Sequence, residues 1–271
     1  MAWSERHTQM LRAMGLRPWS PPGPLSPPTA LAPTTSAAAA DSCEQVLPQL
    51  ESATHQAAPQ SEKSATWRDT PRASPAASVV DSDWPQLRQA VTQCRACGLC
   101  EGRTQTVFGA GPARAHWLVI GEAPGAQEDA QGEPFVGASG QLLEQMLRAI
   151  GLSRAGSDDA SKSVFSTNTV KCRPPGNRNP LAEEMAQCEP FLLRQIELLQ
   201  PRMILAMGRF AAQALLRSTE PIGRLRGQLH SYHGVPMVVT YHPAYLLRNL
   251  NEKAKAWEDL CLAADSFDAN R

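Results

Sequence analysis

Four short apolar runs, separated by helical patterns, constrain the fold of this 271-residue chain more than any other feature of its sequence. The runs are HWLVIG (116–121), VFSTNTV (164–170), RMILAMG (202–208) and VPMVVTY (235–241). Each has the length of a buried strand and is too short for a buried helix. The segments between them, such as QLLEQMLRAI and RFAAQALLR, show apolar residues at helical spacing. This alternation predicts an α/β fold, a parallel sheet with helices on both faces.

Polar motifs follow three of the four predicted strands. They are GEAPGAQED, TNTVKCRPPGNRNP and YHPAYLLRN. Ligands of such sheets bind outside the carboxyl ends of the strands, so these motifs predict a site at one edge. Gly121 and Gly125 would let the backbone approach a ligand there, although a plain turn explains GEAPG equally well. In TNTVKCRPPGNRNP we expect Asn179 to cap the next helix, with Pro180 at its first position.

Three side chains in or near these segments have both a structural and a functional interpretation. Phe135 is either a core aromatic residue or a stacking platform for a flat ring. Asn168, inside an apolar strand, is either a hydrogen-bonded structural amide or a reader of a nucleobase edge. A carboxamide can accept from the N3–H of uracil and donate to its O4, whereas cytosine presents the opposite pattern. His242 is either a hydrogen-bonding core residue or part of the site.

The chain has seven cysteines, which in a cytosolic protein favour metal binding or chemistry over disulfides. Cys94 and Cys97 form a CxxC pair, and Cys172 and Cys188 follow far downstream beside the predicted site loops. Together they would make a four-thiolate zinc or iron–sulfur site, and the spacing does not choose between the two. Cys97 and Cys100 form an overlapping CxxC pair. Cys43 is interpreted as unpaired and Cys261 as a core residue.

The N-terminal region has the composition of a disordered chain. Eleven of the 23 prolines lie between Pro18 and Pro75, among many Ala, Ser and Thr residues, which predicts a disordered linker over residues 21–82. Residues 1–20 carry a short apolar stripe and are interpreted as a docking peptide or as a transient helix without a function. There is no apolar run of 18 residues and no secretory signal, so we expect a cytoplasmic protein.

The charges balance, with 26 Lys and Arg against 26 Asp and Glu. The overall charge therefore says little about a partner. Lys171, Arg173 and Arg178 form a local basic cluster, which is interpreted either as contacts to an anionic partner or as solvated loop charges.

Taken together, the motifs resemble those of a family 4 uracil-DNA glycosylase over residues from about 86 to 262. The segments that carry the resemblance, in the family's order, are CRAC, GEAPGAQEDAQGEPFVGASGQLL, TNTVKCRPPGNRNP, CEPFLLRQI and YHPAYLLRN. The resemblance implies a three-layer α/β/α sandwich around a four-stranded parallel sheet, in a domain of residues 83–268. It also implies hydrolysis of the N-glycosidic bond of deoxyuridine in DNA, as in base excision repair, leaving an abasic site.

The resemblance also assigns residues to roles. It implies a [4Fe-4S] cluster held by Cys94, Cys97, Cys172 and Cys188, with Cys100 outside the ligand set. The implied uracil pocket consists of Glu122, Ala123, Pro124, Glu128, Phe135, Asn168 and His242. Within it His242 would stabilise the departing uracil anion, Glu128 would exclude thymine, and Glu122 would orient the attacking water. Ala123 stands where the best-known uracil-DNA glycosylases keep an Asp, which implies a largely dissociative route.

Further expectations concern DNA and partners. Leu246 or Leu247 would fill the vacated base stack, and Arg173, Arg178 and Arg248 would contact phosphates. The segment LRAMGLRPWS resembles the N-terminus of the psi subunit of bacterial DNA polymerase III, which implies docking of residues 1–20 to the chi subunit. We expect a monomer in the bacterial cytoplasm. The alternatives are a non-catalytic, cluster-bearing DNA-binding module of the same fold and a zinc-stabilised enzyme acting on a different small substrate.

Overall fold

The computed structural model describes residues 79–269 of the chain. The predicted docking peptide and residues 21–78 of the predicted linker lie outside the described residues. The strands are β1 (Trp117–Gly121), β2 (Val164–Asn168), β3 (Met203–Met207), β4 (Leu229–Tyr232) and β5 (Val235–Thr240). The helices are α1 (Trp84–Gln93), α2 (Leu99–Gly102), α3 (Ala126–Gln131), α4 (Gly137–Ala149), α5 (Ala182–Leu199), α6 (Arg209–Leu216), α7 (Ile222–Leu225), α8 (Pro243–Arg248) and α9 (Lys253–Ala269).

The sheet has the order β2-β1-β3-β5-β4. The four predicted strands pair in parallel, with β1 between β2 and β3 and with β3 beside β5. The sheet is larger than the expected four strands, because β4 pairs antiparallel with β5 and forms one edge. The connecting residues His233 and Gly234 have φ angles of 47° and 81°, and two such residues in a row make the tight hairpin turn that suits twisted strands.

Side chains of the strands alternate between two cores, as a sheet covered on both faces requires. In β1, Leu118 and Ile120 face a core that includes apolar residues of α1, α5 and α6. Trp117 and Val119 face a second core that includes residues of α4, α8 and α9. The α/β fold and its three layers are confirmed by this arrangement.

Two boundaries differ from the sequence-based expectation. Ordered structure begins before residue 83, because Val79 is buried in the first core and the carbonyl of Ser82 accepts a hydrogen bond of 2.8 Å from Arg194 Nε. Helix α5 begins at Ala182 and not at Pro180, so Asn179 is not its cap. The Glu184 carboxylate instead accepts from the N–H of Leu181 at 2.8 Å and so satisfies a free amide of the first turn. Within residues 79–269 no helix combines the length and the apolar character needed to cross a membrane.

Candidate active site and cysteine pocket

The four parallel strands end side by side, and hydrogen bonds continue beyond them into the loops. The N–H of Thr169 donates to the carbonyl of Gly121 at 2.9 Å, and the N–H of Val170 donates to that of Glu122 at 3.3 Å. On the other side the N–H of Gly208 donates to the carbonyl of Thr240 at 2.7 Å. At the predicted edge the loops after β1 and β2 are therefore tied to each other, and the loop after β3 is tied to the end of β5.

Asn168 lies at the centre of this edge, paired in register with Gly121. The residue is buried, with 3% of its surface exposed, and no hydrogen bond within residues 79–269 involves its carboxamide. A side chain on Gly121 would collide with Asn168 Oδ1 and with the ring of Phe135. Glycine at this position therefore lets the amide and the aromatic ring share one small space. A buried amide without a protein partner is suited to binding a polar ligand.

Phe135 is held by an unusual backbone conformation. Its φ angle of 54° lies in the left-handed region, which costs a non-glycine residue about 1–3 kcal/mol. The close packing of Gly140 against the Phe135 carbonyl and hydrogen bonds of 3.3 Å from Arg154 to the Pro134 and Phe135 carbonyls support this turn. The result is a buried ring whose centroid is 5.7 Å from that of His242, with the two planes inclined by 27°.

His242 caps helix α8 from the end of β5. Its Nδ1 accepts a hydrogen bond of 3.2 Å from the N–H of Ala244, so the ring proton of the neutral form resides on Nε2. Burial, with a smaller contribution from the positive charge of Arg248, lowers the pKa of His242 to about 4. At neutral pH the ring is therefore an uncharged hydrogen-bond donor. Gly208 packs against the His242 Cβ and leaves no room for a side chain of its own.

Glu122 follows β1 and is half-buried. Burial raises the pKa of its carboxyl to about 7, and the positive charge of Arg209 acts in the opposite direction. A carboxyl group with this pKa can take up or release a proton near neutral pH. Arg209 is the first residue of α6, after the central strand β3. No sequence signal indicated Arg209, because β3, unlike the other three parallel strands, is not followed by a conspicuous polar motif.

Glu128 is engaged in hydrogen bonds with its own loop. One carboxylate oxygen accepts from the N–H of Gly125 and the other from the N–H of Val136, both at 3.1 Å. The carboxylate thus bridges the start of α3 to the residue that follows Phe135. The intervening Ala123 and Pro124 continue the loop from Glu122, and Ala123 packs on the first core.

The cysteines converge in a second pocket, which Cys94, Cys97, Cys172 and Cys188 line together with Cys100. Cys172 and Cys188 are buried, and the other three are half-buried. No group of three or more His, Cys, Asp or Glu within residues 79–269 has an arrangement that would hold a single metal ion. Four thiolate donors suit either zinc or an iron–sulfur cluster.

The surroundings of these sulfurs suit bound thiolates. Arg103 donates from Nη1 to Cys172 Sγ at 3.0 Å and from Nη2 to the carbonyl of Cys94 at 2.9 Å. The N–H of Lys171 donates to Cys188 Sγ at 3.3 Å. Burial raises the pKa of Cys172 to about 11 and that of Cys188 to about 12, so a bound metal must supply the charge that makes them thiolates. The donor set therefore fits an iron–sulfur cluster.

The predicted DNA contacts are distributed unevenly. Leu246 is buried with 1% exposed and packs in the second core, whereas 42% of Leu247 is exposed. Leu246 is therefore the wrong choice for an inserting residue, and Leu247 is the one that reaches solvent. Arg248 is exposed, and Arg173 donates from Nε to Asn177 Oδ1 at 2.7 Å.

Two members of the basic cluster have structural partners. Arg178 forms two hydrogen bonds, of 2.9 and 2.6 Å, with the Glu184 carboxylate. Lys171 is not a surface charge at all, because only 1% of it is exposed. Its interpretation as a solvent-facing basic residue is wrong, since the loop after β2 first packs beneath the edge of the sheet.

Comparisons with known proteins identify the family of this chain. Residues 108–261 match the sequence model of the uracil DNA glycosylase superfamily. A type-4 uracil-DNA glycosylase of Pyrobaculum aerophilum is 40% identical over 190 residues, which are 66% of this chain and 92% of that protein. One of Thermotoga maritima is 40% identical over 171 residues, 62% of this chain and 85% of that protein.

A type-5 uracil-DNA glycosylase of Thermus thermophilus is 38% identical over 118 residues, 41% of this chain and 53% of that protein. The similarity to the two type-4 proteins thus extends over more of each chain than the similarity to the type-5 protein. The chain belongs to the uracil DNA glycosylase superfamily and, within it, to the type-4 uracil-DNA glycosylases.

Proposed function

We propose that this protein hydrolyses the N-glycosidic bond of deoxyuridine in DNA and leaves an abasic site for base excision repair. The observation that carries the proposal is the meeting of Asn168, Phe135 and His242 at the edge of the sheet. The target base must leave the duplex stack to reach such a buried site. The pocket supplies an aromatic surface and a free amide for the base, and a neutral imidazole donor beside them.

Asn168 and Phe135 are proposed to recognise uracil. Asn168 Oδ1 would accept from the uracil N3–H while its amide group donates to O4. Cytosine would meet an acceptor with an acceptor and a donor with a donor, and a site that requires such hydrogen bonds rejects the wrong partner strongly. Phe135 would stack on the base. Because the Asn168 amide has no protein partner within the described residues, binding uracil costs it no existing hydrogen bond.

Glu128 is proposed to exclude thymine through the loop that it holds. Its two hydrogen bonds fix the chain between Gly125 and Val136, which adjoins the stacking ring. A loop held in this way cannot move aside for the 5-methyl group of thymine. The carboxylate therefore acts by keeping the pocket wall in place.

Departure of the base develops negative charge on uracil O2. The Nε2–H of neutral His242 and the backbone amides near Glu122 would donate to this oxygen. A donor preorganised in this way contributes about 3–4 kcal/mol to transition-state stabilisation. A neutral donor avoids the cost of burying an additional charge before the reaction begins.

Water would attack the sugar as it becomes cationic. Ala123 provides no general base, so the half-buried Glu122 is proposed to orient the water. With a pKa of about 7 a substantial fraction of its carboxyl is ionised at neutral pH. Its partial desolvation would strengthen the attraction between the carboxylate and the developing positive charge of the sugar.

The cysteine pocket is proposed to hold a [4Fe-4S] cluster through Cys94, Cys97, Cys172 and Cys188. Through these four cysteines a bound cluster would cross-link the end of α1, the loop after β2 and α5. This cross-link would fix the loop that carries Arg173 and presents it to DNA. A brown protein that absorbs near 400 nm and contains about four irons per chain would support the cluster, and stoichiometric zinc would overturn it.

DNA is proposed to contact the exposed residues around the same edge. Leu247 would fill the space left by the flipped nucleotide, and Arg173 and Arg248 would contact phosphates. Arg178 would contribute mainly by holding its loop, since its guanidinium is already paired with Glu184. Alanine at Arg248 should weaken binding to all DNA sequences and reduce its salt dependence.

The test of the function is an assay on an oligonucleotide with a single uracil, followed by alkali. Cleavage at the uracil and none at cytosine or thymine is the expected result. Intact, iron-loaded protein that cleaves nothing would overturn the proposal and favour the non-catalytic DNA-binding module.

The N-terminal segment is proposed to dock the enzyme to the replication machinery. The support is the resemblance of LRAMGLRPWS to the psi subunit, together with the long linker-like sequence that follows. The proposal places the protein as a monomer in the bacterial cytoplasm. A peptide of residues 1–25 should bind purified chi subunit, and no binding at tens of micromolar would end the idea.

A further inference from the structure

The loop after β2 contains a lysine whose ammonium group is fully enclosed. Lys171 Nζ donates to Thr167 Oγ1 at 2.6 Å, to Gln195 Oε1 at 2.7 Å and to the carbonyl of Asn168 at 2.8 Å. These three bonds use all three donors of the ammonium. No carboxylate within residues 79–269 forms an ion pair with it. A buried charge with this arrangement is costly and is retained only where the surroundings are built for it.

The same residue contacts the cysteine pocket through its backbone. Its N–H donates to Cys188 Sγ at 3.3 Å, and Cys172 is the next residue of the chain. Its carbonyl accepts from the N–H of Val107 at 2.8 Å. The backbone of Lys171 is thus fixed on the side of the cysteines, while its side chain extends towards the end of β2.

The partners of the ammonium are themselves connected. Gln195 lies on α5, the helix that carries Cys188, and donates from Nε2 to the carbonyl of Phe108 at 2.9 Å. Thr167 Oγ1 donates to the same carbonyl at 3.0 Å. Lys171 therefore joins α5 to the last two residues of β2 through a buried polar network.

The direction of the Asn168 carboxamide depends on the position of its backbone. Its carboxamide has no hydrogen bond within the described residues that would fix its direction, and Gly121 leaves space beside it. The direction of the amide therefore depends on where the end of β2 is held. The bond from Lys171 Nζ to the Asn168 carbonyl fixes that end.

We propose that Lys171 is a positioning residue for uracil recognition, which holds the Asn168 backbone in place and ties it to the cysteine-bound segment. This inference rests on the function proposed above. The thiolates of Cys172 and Cys188, once bound, would provide negative charge that interacts with its ammonium. The Asn168 carboxamide, which would recognise uracil, and the cysteine pocket are then linked through the side chain of Lys171.

The first experiment compares Lys171→Met with the iron-loaded wild type on two substrates, uracil and N3-methyluracil in the same oligonucleotide. N3-methyluracil lacks the hydrogen that Asn168 Oδ1 would accept. We expect Lys171→Met to excise uracil about 100-fold more slowly and to reduce the preference for uracil over N3-methyluracil at least tenfold, with its iron content retained. Lys162→Met, which removes an exposed lysine before β2 at the opposite edge of the sheet, should match the wild type.

The second experiment is a double-mutant cycle with Asn168→Ala. If Lys171 acts through Asn168, adding Lys171→Met to Asn168→Ala should cost less than about threefold, because the effects of coupled residues do not multiply. A full further 100-fold loss in the double variant, or an unchanged preference for uracil in Lys171→Met, would overturn the inference. A general loss of folded protein would lower both rates equally and leave the preference unchanged.

A milder variant covers the case in which Lys171→Met loses its iron or does not fold. Thr167→Val removes one acceptor of the ammonium at nearly constant volume, and Thr167→Ser keeps it. Thr167→Val should reduce the preference for uracil about threefold to tenfold and Thr167→Ser should not; equal preferences would overturn the inference. A wild type that releases no uracil would overturn the proposed function as well, whereas an active wild type with multiplying losses overturns the role of Lys171 alone.

Discussion

The site proposed for the base, formed by Asn168, Phe135 and His242 and called the base pocket below, is built by different means from the cysteine pocket. The base pocket lies where parallel strands end, and backbone hydrogen bonds between neighbouring strands continue into its loops. The cysteine pocket collects Cys94 from the end of α1, Cys97 from the next turn, Cys172 from a loop and Cys188 from α5. No strand pairing connects these four positions, and their sulfurs depend on side-chain contacts such as that of Arg103.

This difference shows what determines the geometry of each pocket. The sheet places the base pocket, so single substitutions there should change chemistry and leave the fold intact. The cysteine pocket would instead need the group proposed to bind there, because a buried site without regular backbone pairing gains much of its order from its ligand. Substitutions of its ligands should therefore change stability before they change chemistry.

The largest effect is expected at Asn168. Asn168→Asp replaces the amide donor with a second acceptor, which would face uracil O4 and repel it. We expect uracil excision to fall about 1000-fold, by the loss of a required hydrogen bond, while iron content and melting temperature stay within error. Single-turnover rates on uracil and cytosine substrates measure the change.

Gln200→Glu is the matched control for this variant, because it makes the same amide-to-carboxylate change at an exposed position before β3. It should retain wild-type activity. If Asn168→Asp lost its iron along with its activity, a substitution in the base pocket would also disturb the cysteine pocket, which contradicts the independence expected from the fold.

A steric test of the base pocket is expected to have the next largest effect. The added methyl of Gly121→Ala would meet Asn168 Oδ1 and the Phe135 ring. Since both must shift, excision should fall about 100-fold, and the ring would lose its place beside the amide. Gly223→Ala, where an added Cβ would meet nothing within 4 Å, is the control. Equal rates for the two variants would show that the pocket is looser than these contacts indicate.

Much of this pocket was predictable, because the arrangement of parallel strands follows from the alternation of apolar runs and helical patterns. Strand ends then bring Asn168 and His242 together without further information. The sequence pattern did not reveal which of two adjacent residues in a motif is buried and which is exposed. In AYLLRN the two leucines are adjacent, and only the packing of α8 against α4 shows that Leu246 is buried and Leu247 exposed.

Other features of the structure were not predicted from the sequence, for related reasons. Lys171 lies among basic residues, and charge alone suggested a surface position, but burial depends on the path of the loop beneath the sheet. Strand β4 is short and mostly exposed, so LHSY gives no apolar alternation. The HG pair that follows it was an available signal for a hairpin turn. The cysteines could be listed from the sequence, but Arg103 and its contacts with Cys172 and Cys94 depend on folding.

A pH profile should show a smaller effect on the base pocket. If Glu122 orients the water, its carboxyl must be ionised, and burial raises its pKa to about 7. The rate of the chemical step should therefore rise about tenfold per pH unit below 7 and level off above it. Glu122→Gln should be slower at pH 8 and have a flat profile between pH 5.5 and 8.

His242 makes no inflection in this range, because its pKa of about 4 keeps it neutral throughout. An inflection near 7 that persists in Glu122→Gln would assign the titration to another group. Measurements under single-turnover conditions separate the chemical step from product release, which could otherwise conceal the inflection.

The smallest effect is expected at Cys100, which lines the cysteine pocket without belonging to the proposed ligand set. Cys100→Ser should keep the iron content, the absorbance near 400 nm and the melting temperature of the wild type, with less than a twofold change in excision. Cys97→Ser is its matched comparison, since it makes the same change three residues away at a proposed ligand. It should lose iron and melt about 5–10 °C lower, because a lost metal ligand removes folding free energy. The reverse result would exchange the roles of the two cysteines and place Cys100 in the ligand set instead of Cys97, while the contrast between a pocket ordered by the sheet and a pocket ordered by its ligand would stand. Iron loss in both variants would instead mean that Cys100 supports the cluster, through a contact that the spacing of the motif does not reveal.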